Sequence, residues 1–141
     1  MRARAAASLA TTWSVLTDQV GMAAWTPART VTVEHHDGPS PAGVGTIRVL
    51  SRWPLTLREQ ITAVDEPTRL AYRLLSGLPL RDYVGETILS GSATSTDIVW
   101  AVTLTSRWPG TTFAVRRVAQ ALANGLARQA ELVAHAREGS G

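Results

Sequence analysis

Apolar positions change their period twice along the chain. Leu9, Trp13, Leu16 and Val20 recur at spacings of four, three and four, one face of an amphipathic helix, with Ser8 placed to cap its start and Gly21 to stop it. A short second turn, Met22 to Trp25, ends before Pro27. From about Thr30 to Thr105 the period becomes two. Turn residues interrupt it at Asp37-Gly38-Pro39 through Gly43, Trp53-Pro54, Asp65-Glu66-Pro67, Ser76-Gly77-Leu78-Pro79 and Ser90-Gly91-Ser92. Six strands are predicted, at 29–36, 44–51, 55–64, 69–75, 82–90 and 96–105, with residues 2–6 as a further short strand. Beyond Pro109-Gly110 the helical period returns from Thr111 to Glu138, with Val115, Val118, Leu122, Leu126 and Val133 as its apolar stripe. Residues 139–141 are a tail. Consecutive hairpins make an antiparallel meander the economical topology, and only the C-terminal helix is long enough to cover its apolar face. One α+β domain over residues 1–138 follows.

The strand faces carry the functional information. In 55–64, Leu55, Leu57, Glu59, Ile61 and Ala63 share one face, apolar except for Glu59. A hairpin at Trp53-Pro54 sets Leu50 opposite Leu57 and Arg48 opposite Glu59. A turn at Glu66-Pro67 sets Ile61 opposite Tyr72 and Glu59 opposite Leu74, leaving Arg69, Ala71 and Arg73 outside. A turn near Ser92 sets Ile98 opposite Thr87 and Trp100 opposite Gly85. The inner face then reads Leu50, Leu57, Ile61, Leu74, Ile98, Val102 and Leu104, punctuated by Arg48, Glu59, Tyr72, Tyr83, Thr87 and Trp100. That many polar side chains exceed what a purely structural core holds, and an apolar space with a few convergent polar groups describes a small-molecule pocket. Gly125, inside the covering helix, is expected to leave room for a ligand. Each feature also has a plainer reading: Arg48–Glu59 as a structural ion pair, the tyrosines and Trp100 as core packing, and Gly125 as a place where the helix comes close to the sheet.

Composition narrows the chemistry. With no cysteine, thiolate catalysis, disulfides and Cys-ligated metal sites are excluded. All 14 basic residues are arginine, so Schiff-base chemistry and a P-loop lysine are excluded too. A net charge of +3 lacks the dense basic face of a nucleic-acid binder, and no nucleic-acid partner is expected. His35 and His36 point to opposite faces of a strand and His135 stands alone, so no metal is expected. Gly43-Val44-Gly45 precedes a strand and is not a dinucleotide fingerprint. No cofactor is implied. No signal-peptide core and no apolar run of membrane-spanning length is visible, making a cytoplasmic protein the expectation.

Several stretches, in order, resemble the START-like (SRPBCC) superfamily of polyketide cyclases/dehydrases, lipid-transfer domains and plant abscisic-acid receptors. They are Trp13-Ser14-Val15-Leu16-Thr17-Asp18 with Trp25 downstream; Gly43 to Arg48; Leu57 to Ile61 leading to Asp65-Glu66-Pro67; Arg69 to Tyr72; Tyr83-Val84-Gly85-Glu86; and the strand through Trp100. The resemblance spans residues 3–135. It implies a helix-grip fold: a curved antiparallel sheet of six to seven strands around the long C-terminal helix, two short helices near the N-terminus, and a hydrophobic cavity between helix and sheet. In that family, carboxylates and tyrosines like Glu59 and Tyr83 face the cavity. Two departures stand out. The first strand is short against Met1, which leaves room for a true start upstream, and Ser76-Gly77-Leu78-Pro79 copies the receptors' gate-loop letters in a different loop, where it is expected to act as a cavity lid. The expected ligand is a small hydrophobic molecule, entering near Met22, Trp25 and residues 76–80 and bound by Trp25, Arg48, Glu59, Tyr72, Tyr83 and Trp100. Two alternatives stay open: a cyclase/dehydrase using Glu59 or Tyr83 as proton donor or acceptor, and a protein-interaction module. The oligomeric state is left open.

Overall fold

A computed structural model describes residues 1–35, 43–106 and 108–139 and realises both changes of period. The elements are β1 (Arg2–Ala5), α1 (Leu9–Thr17), a 3-10 helix (Val20–Ala24), β2 (Thr30–His35), β3 (Ile47–Arg52), β4 (Leu55–Asp65), β5 (Arg69–Ser76), β6 (Arg81–Gly91), β7 (Thr96–Thr105) and α2 (Thr111–Gly139). The sheet is seven-stranded and antiparallel, ordered β1-β7-β6-β5-β4-β3-β2. The 29-residue α2 approaches β1, β7 and α1 most closely. This is the helix-grip arrangement. His36 and residues 37–42 of the expected break lie outside the described residues.

Ser8 caps α1 as the sequence predicts, accepting a hydrogen bond from the Thr11 N–H at 3.0 Å. The helix stops earlier than Gly21, however. Asp18 ends it, and its Oδ1 accepts the Gly21 N–H at 3.2 Å, turning the chain into a 3-10 helix where a short second turn is expected. Val20 consequently leaves the apolar face and is exposed.

Registers at both proline turns match expectation: Arg48 faces Glu59, Leu50 faces Leu57, Ile61 faces Tyr72 and Glu59 faces Leu74. Three details differ. An irregularity between Ile61 and Ala63 pairs Ala63 with Ala71 and Val64 with Leu70, so Val64 joins the core in place of Ala63. Ala71, expected outside, is nonetheless buried. The β6–β7 register is displaced by two residues, with Trp100 opposite Thr87 and Val102 opposite Gly85. The turn is wider than its letters indicate: the Ser92 N–H bonds the Ser95 carbonyl, and Ser92 Oγ accepts the Thr94 N–H. A displacement of two preserves the faces, so Trp100 still points inward. The ring lying over Gly85 is that of Tyr72 from β5.

The core-facing side of α2 is built from Ala119, Ala123, Leu126, Ala127 and Ala130, with Leu122 and Val133 at its margin. Val118, expected in the stripe, is exposed. Small side chains let the helix backbone come close to its neighbours, and reading only the large apolar positions misses them. Outside the sheet, arginines pair with acids or amides: Arg58 with Glu34 at 2.6 Å, Arg69 with Glu86 at 2.7 Å, Arg73 with Gln60 at 2.7 Å.

Candidate ligand-binding site

Thr46, the residue before β3, and Arg48 on it stand two residues apart, and both are buried. Arg48 is only 1% exposed, so its charge needs compensation from within the fold. Its Nε donates to Glu59 Oε1 at 2.9 Å on β4. Its Nη1 donates to Gln19 Oε1 at 3.0 Å and lies 3.3 Å from the Met22 sulfur. The guanidinium carbon stands 4.6 Å from the centre of the Tyr72 ring, a cation–π contact. One carboxylate, one amide and one ring therefore hold a single buried cation.

Aromatic contacts extend the cluster. Trp100 Nε1 donates to the Tyr72 hydroxyl at 3.0 Å, and the two rings meet edge-on at 6.4 Å. Tyr83 lies against Tyr72 at 6.4 Å, and Trp25 meets Trp100 edge-on at 6.1 Å. All six residues singled out from the sequence thus form one chain of contacts, Glu59–Arg48–Tyr72–Trp100–Trp25, with Tyr83 branching from Tyr72. Burial drives the Tyr72 phenol well above its ordinary pKa, with the Glu59 charge adding to the effect. Tyr83 is raised for the same two reasons in the same order.

Gly125 does not hold space for a ligand. A methyl group there would collide with the backbone carbonyl of Trp25, and the Trp25 ring would lie 3.6 Å away. Trp25 therefore occupies the ground between α2 and Trp100. On its outer side, Trp25 lines a cleft of about 310 Å³ with Val15, Gly21, Gln129 and Val133. The 76–80 loop lies against β4, where Gly77 at φ 114° passes so near Thr56 and Leu57 that no side chain fits.

Sequence reasoning missed Gln19 and Thr46. Gln19 follows the end of α1, where polar residues usually face water, yet it is 1% exposed. Thr46 was legible from parity alone, two positions before Arg48. Four buried polar atoms have no hydrogen-bond partner among the described residues: Gln19 Nε2, Trp25 Nε1, Thr46 Oγ1 and Thr87 Oγ1. Each costs about 1–3 kcal/mol if nothing ever satisfies it. The first two can only donate. No group of three or more His, Asp or Glu among the described residues is placed to hold a metal, and no described helix is long and apolar enough to cross a membrane.

A sheet gripping one long helix, with a buried cation and aromatic chain between them, defines a helix-grip domain. The profile of the family described as "Polyketide cyclase / dehydrase and lipid transport" matches residues 1–134, and the chain belongs to that family. Among solved structures, the Zhui aromatase/cyclase from Streptomyces sp. R1128 is similar at TM-score 0.74 and 20% identity, over 93% of this chain and 91% of that one. A protein from Nitrosospira multiformis is similar at TM-score 0.75 and 18% identity, over 92% of both chains. Norcoclaurine synthase from Thalictrum flavum, solved with dopamine and hydroxybenzaldehyde, is similar at TM-score 0.66 and 16% identity, over 92% of this chain and 83% of that one. At these identities the likeness establishes the fold. No curated protein sequence matches the chain.

Proposed function

We propose that the chain binds a small, mostly apolar molecule, lipid-like or polyketide-like, between the sheet and α2. Arg48, Glu59, Tyr72 and Tyr83 orient its polar end, while Trp25 and Trp100 lie against its body. The observation that carries this reading is the pair of partnerless buried donors, Gln19 Nε2 and Trp25 Nε1, on residues that touch Arg48 and Trp100 respectively. Buried donors are almost always satisfied in folded proteins, and two on one cluster call for an acceptor, such as a ligand carbonyl or carboxylate. Apolar contact supplies most of the affinity at about 25 cal/mol per Å², less the cost of association. Access requires the 3-10 helix and Trp25 to swing outward. Organic extraction and mass spectrometry of the purified protein should recover an apolar compound bearing such an acceptor. A lipophilic fluorescent probe should compete for the same site and bind more weakly to Gln19→Leu. Protein that repeatedly purifies empty and takes up no probe overturns the reading.

A second reading, catalysis of the cyclase/dehydrase type, draws on Tyr83. Burial and the nearby Glu59 charge keep its phenol protonated, which fits a proton donor better than an acceptor. Tyr83→Phe would then abolish turnover of a polyketide-like substrate while leaving probe binding intact. Unchanged turnover removes Tyr83 from the chemistry.

A further inference from the structure

The two ends of the sheet differ in what they expose. β3, β5 and β7 run towards one end, and β4, β6 and α2 start from it, so the turns Arg52–Leu55 and Ser76–Arg81 gather there with the connection from β7 to α2 that carries Trp108. The three most exposed aromatic side chains of the described residues all belong to this end. Trp53 is 92% exposed, Trp108 67% and Phe113 66%, and Leu55, Leu75 and Val84 add exposed aliphatic surface. The charge is equally one-sided. Arg29, Arg52, Arg81, Arg116 and Arg117 are exposed there, with Asp82 among them, while Glu34, level with Val84 across the sheet, is paired to Arg58. α2 also points its N-terminus this way with no acid in its first turn, adding positive potential. Towards the opposite end stand Asp65, Glu66, Asp97 and Glu138, with Asp65 and Asp97 paired to arginines.

We propose that this end docks on the surface of an anionic lipid bilayer. Trp53 and Trp108, on two separate turns, suit the headgroup region, where an apolar ring body and a polar edge are both accommodated, and Phe113 in the first turn of α2 adds apolar surface beside them. Five exposed arginines beside one exposed aspartate suit lipid phosphates, and at 5.8 Å Arg117 already lies over the Phe113 ring, able to follow it into the interface. Rings carried on two separate turns and on the first turn of α2 can all meet a soft, planar surface at once. The inference is independent of any ligand in the interior.

The test is co-sedimentation of the full chain with phosphatidylcholine vesicles, with and without phosphatidylserine. The chain should bind the phosphatidylserine vesicles, with a blue shift of tryptophan emission, and release as salt rises. Trp53→Ala combined with Trp108→Ala should weaken binding by roughly tenfold or more, since each ring carries large apolar area. Arg116→Gln and Arg117→Gln should each weaken it by about fivefold. Because all four side chains are exposed, thermal melting should stay unchanged, which separates lost docking from lost folding. Absence of binding to either vesicle, or equal binding by the double tryptophan variant, overturns the proposal. So does a chain that ignores vesicles but self-associates through Trp53 and Trp108, which assigns the surface to a second copy.

Discussion

Raising the pH isolates the buried tyrosines unusually well in this chain. It has no lysine and no cysteine, and arginine stays charged, so between about pH 9 and 12 the only side chains that titrate are Tyr72 and Tyr83. Both phenols are raised above their ordinary value, first by burial and then by the Glu59 charge. The folded state therefore holds these protons more tightly than the unfolded state. Stability is fully present below the unfolded value of about 10 and is lost as pH climbs from there towards the folded-state values. Each tyrosine that ionises only on unfolding contributes a slope of about 1.4 kcal/mol per pH unit, so the limit for two is about 2.7 kcal/mol per unit. Tyr72, 1% exposed, should reach its share, and the half-buried Tyr83 should fall short. Urea midpoints measured across this range, together with tyrosinate absorbance, check the argument. Absorbance should stay flat while the native circular dichroism persists and rise as it collapses, and Tyr72→Phe should remove the larger part of the slope. Two tyrosinates appearing near pH 10 in a chain with intact circular dichroism would refute the placement of both rings.

Three substitutions test the packing by denaturant unfolding. Glu59→Gln leaves the Arg48 charge buried beside a neutral amide and should cost about 3–5 kcal/mol, the loss typical of breaking a buried pair. Gly125→Ala gains helix propensity of roughly 1 kcal/mol but drives a methyl into the Trp25 carbonyl, so a net loss of about 1–3 kcal/mol should appear. A gain in stability there would show that Trp25 does not lie against α2. Gly85→Ala, beneath the Tyr72 ring, should likewise cost about 1–3 kcal/mol and shift the near-ultraviolet signal of the aromatic cluster.

Element order, strand number and the inward direction of Arg48, Glu59, Tyr72 and Trp100 were legible from alternation and turn letters, because a period of two survives any register error of two. The β6–β7 register was not legible, since whether Gly91-Ser92 or a wider serine-threonine turn closes the hairpin depends on hydrogen bonds such as Thr94 to Ser92. Nor was the change of parity near Thr62, which has no residue signature and exchanges Ala63 for Val64. Gly125 could be read as a place of close approach, but which atoms approach is a tertiary fact. The Trp25 carbonyl arrives from a segment a hundred residues away. Gln19 was hidden for the converse reason, a polar letter at a helix end whose burial follows only from the demand of Arg48 for a second acceptor.

The alanines along the inward side of α2 have a mechanical corollary. With side chains this short, the helix already rests close to the strands beside it, and there is little slack by which the two layers could draw nearer or ride apart without losing contact. Room for the guest proposed above would therefore have to come from displacement of Met22 and Trp25, and not from the spacing of the walls. Guest size should track how far those two side chains can retreat.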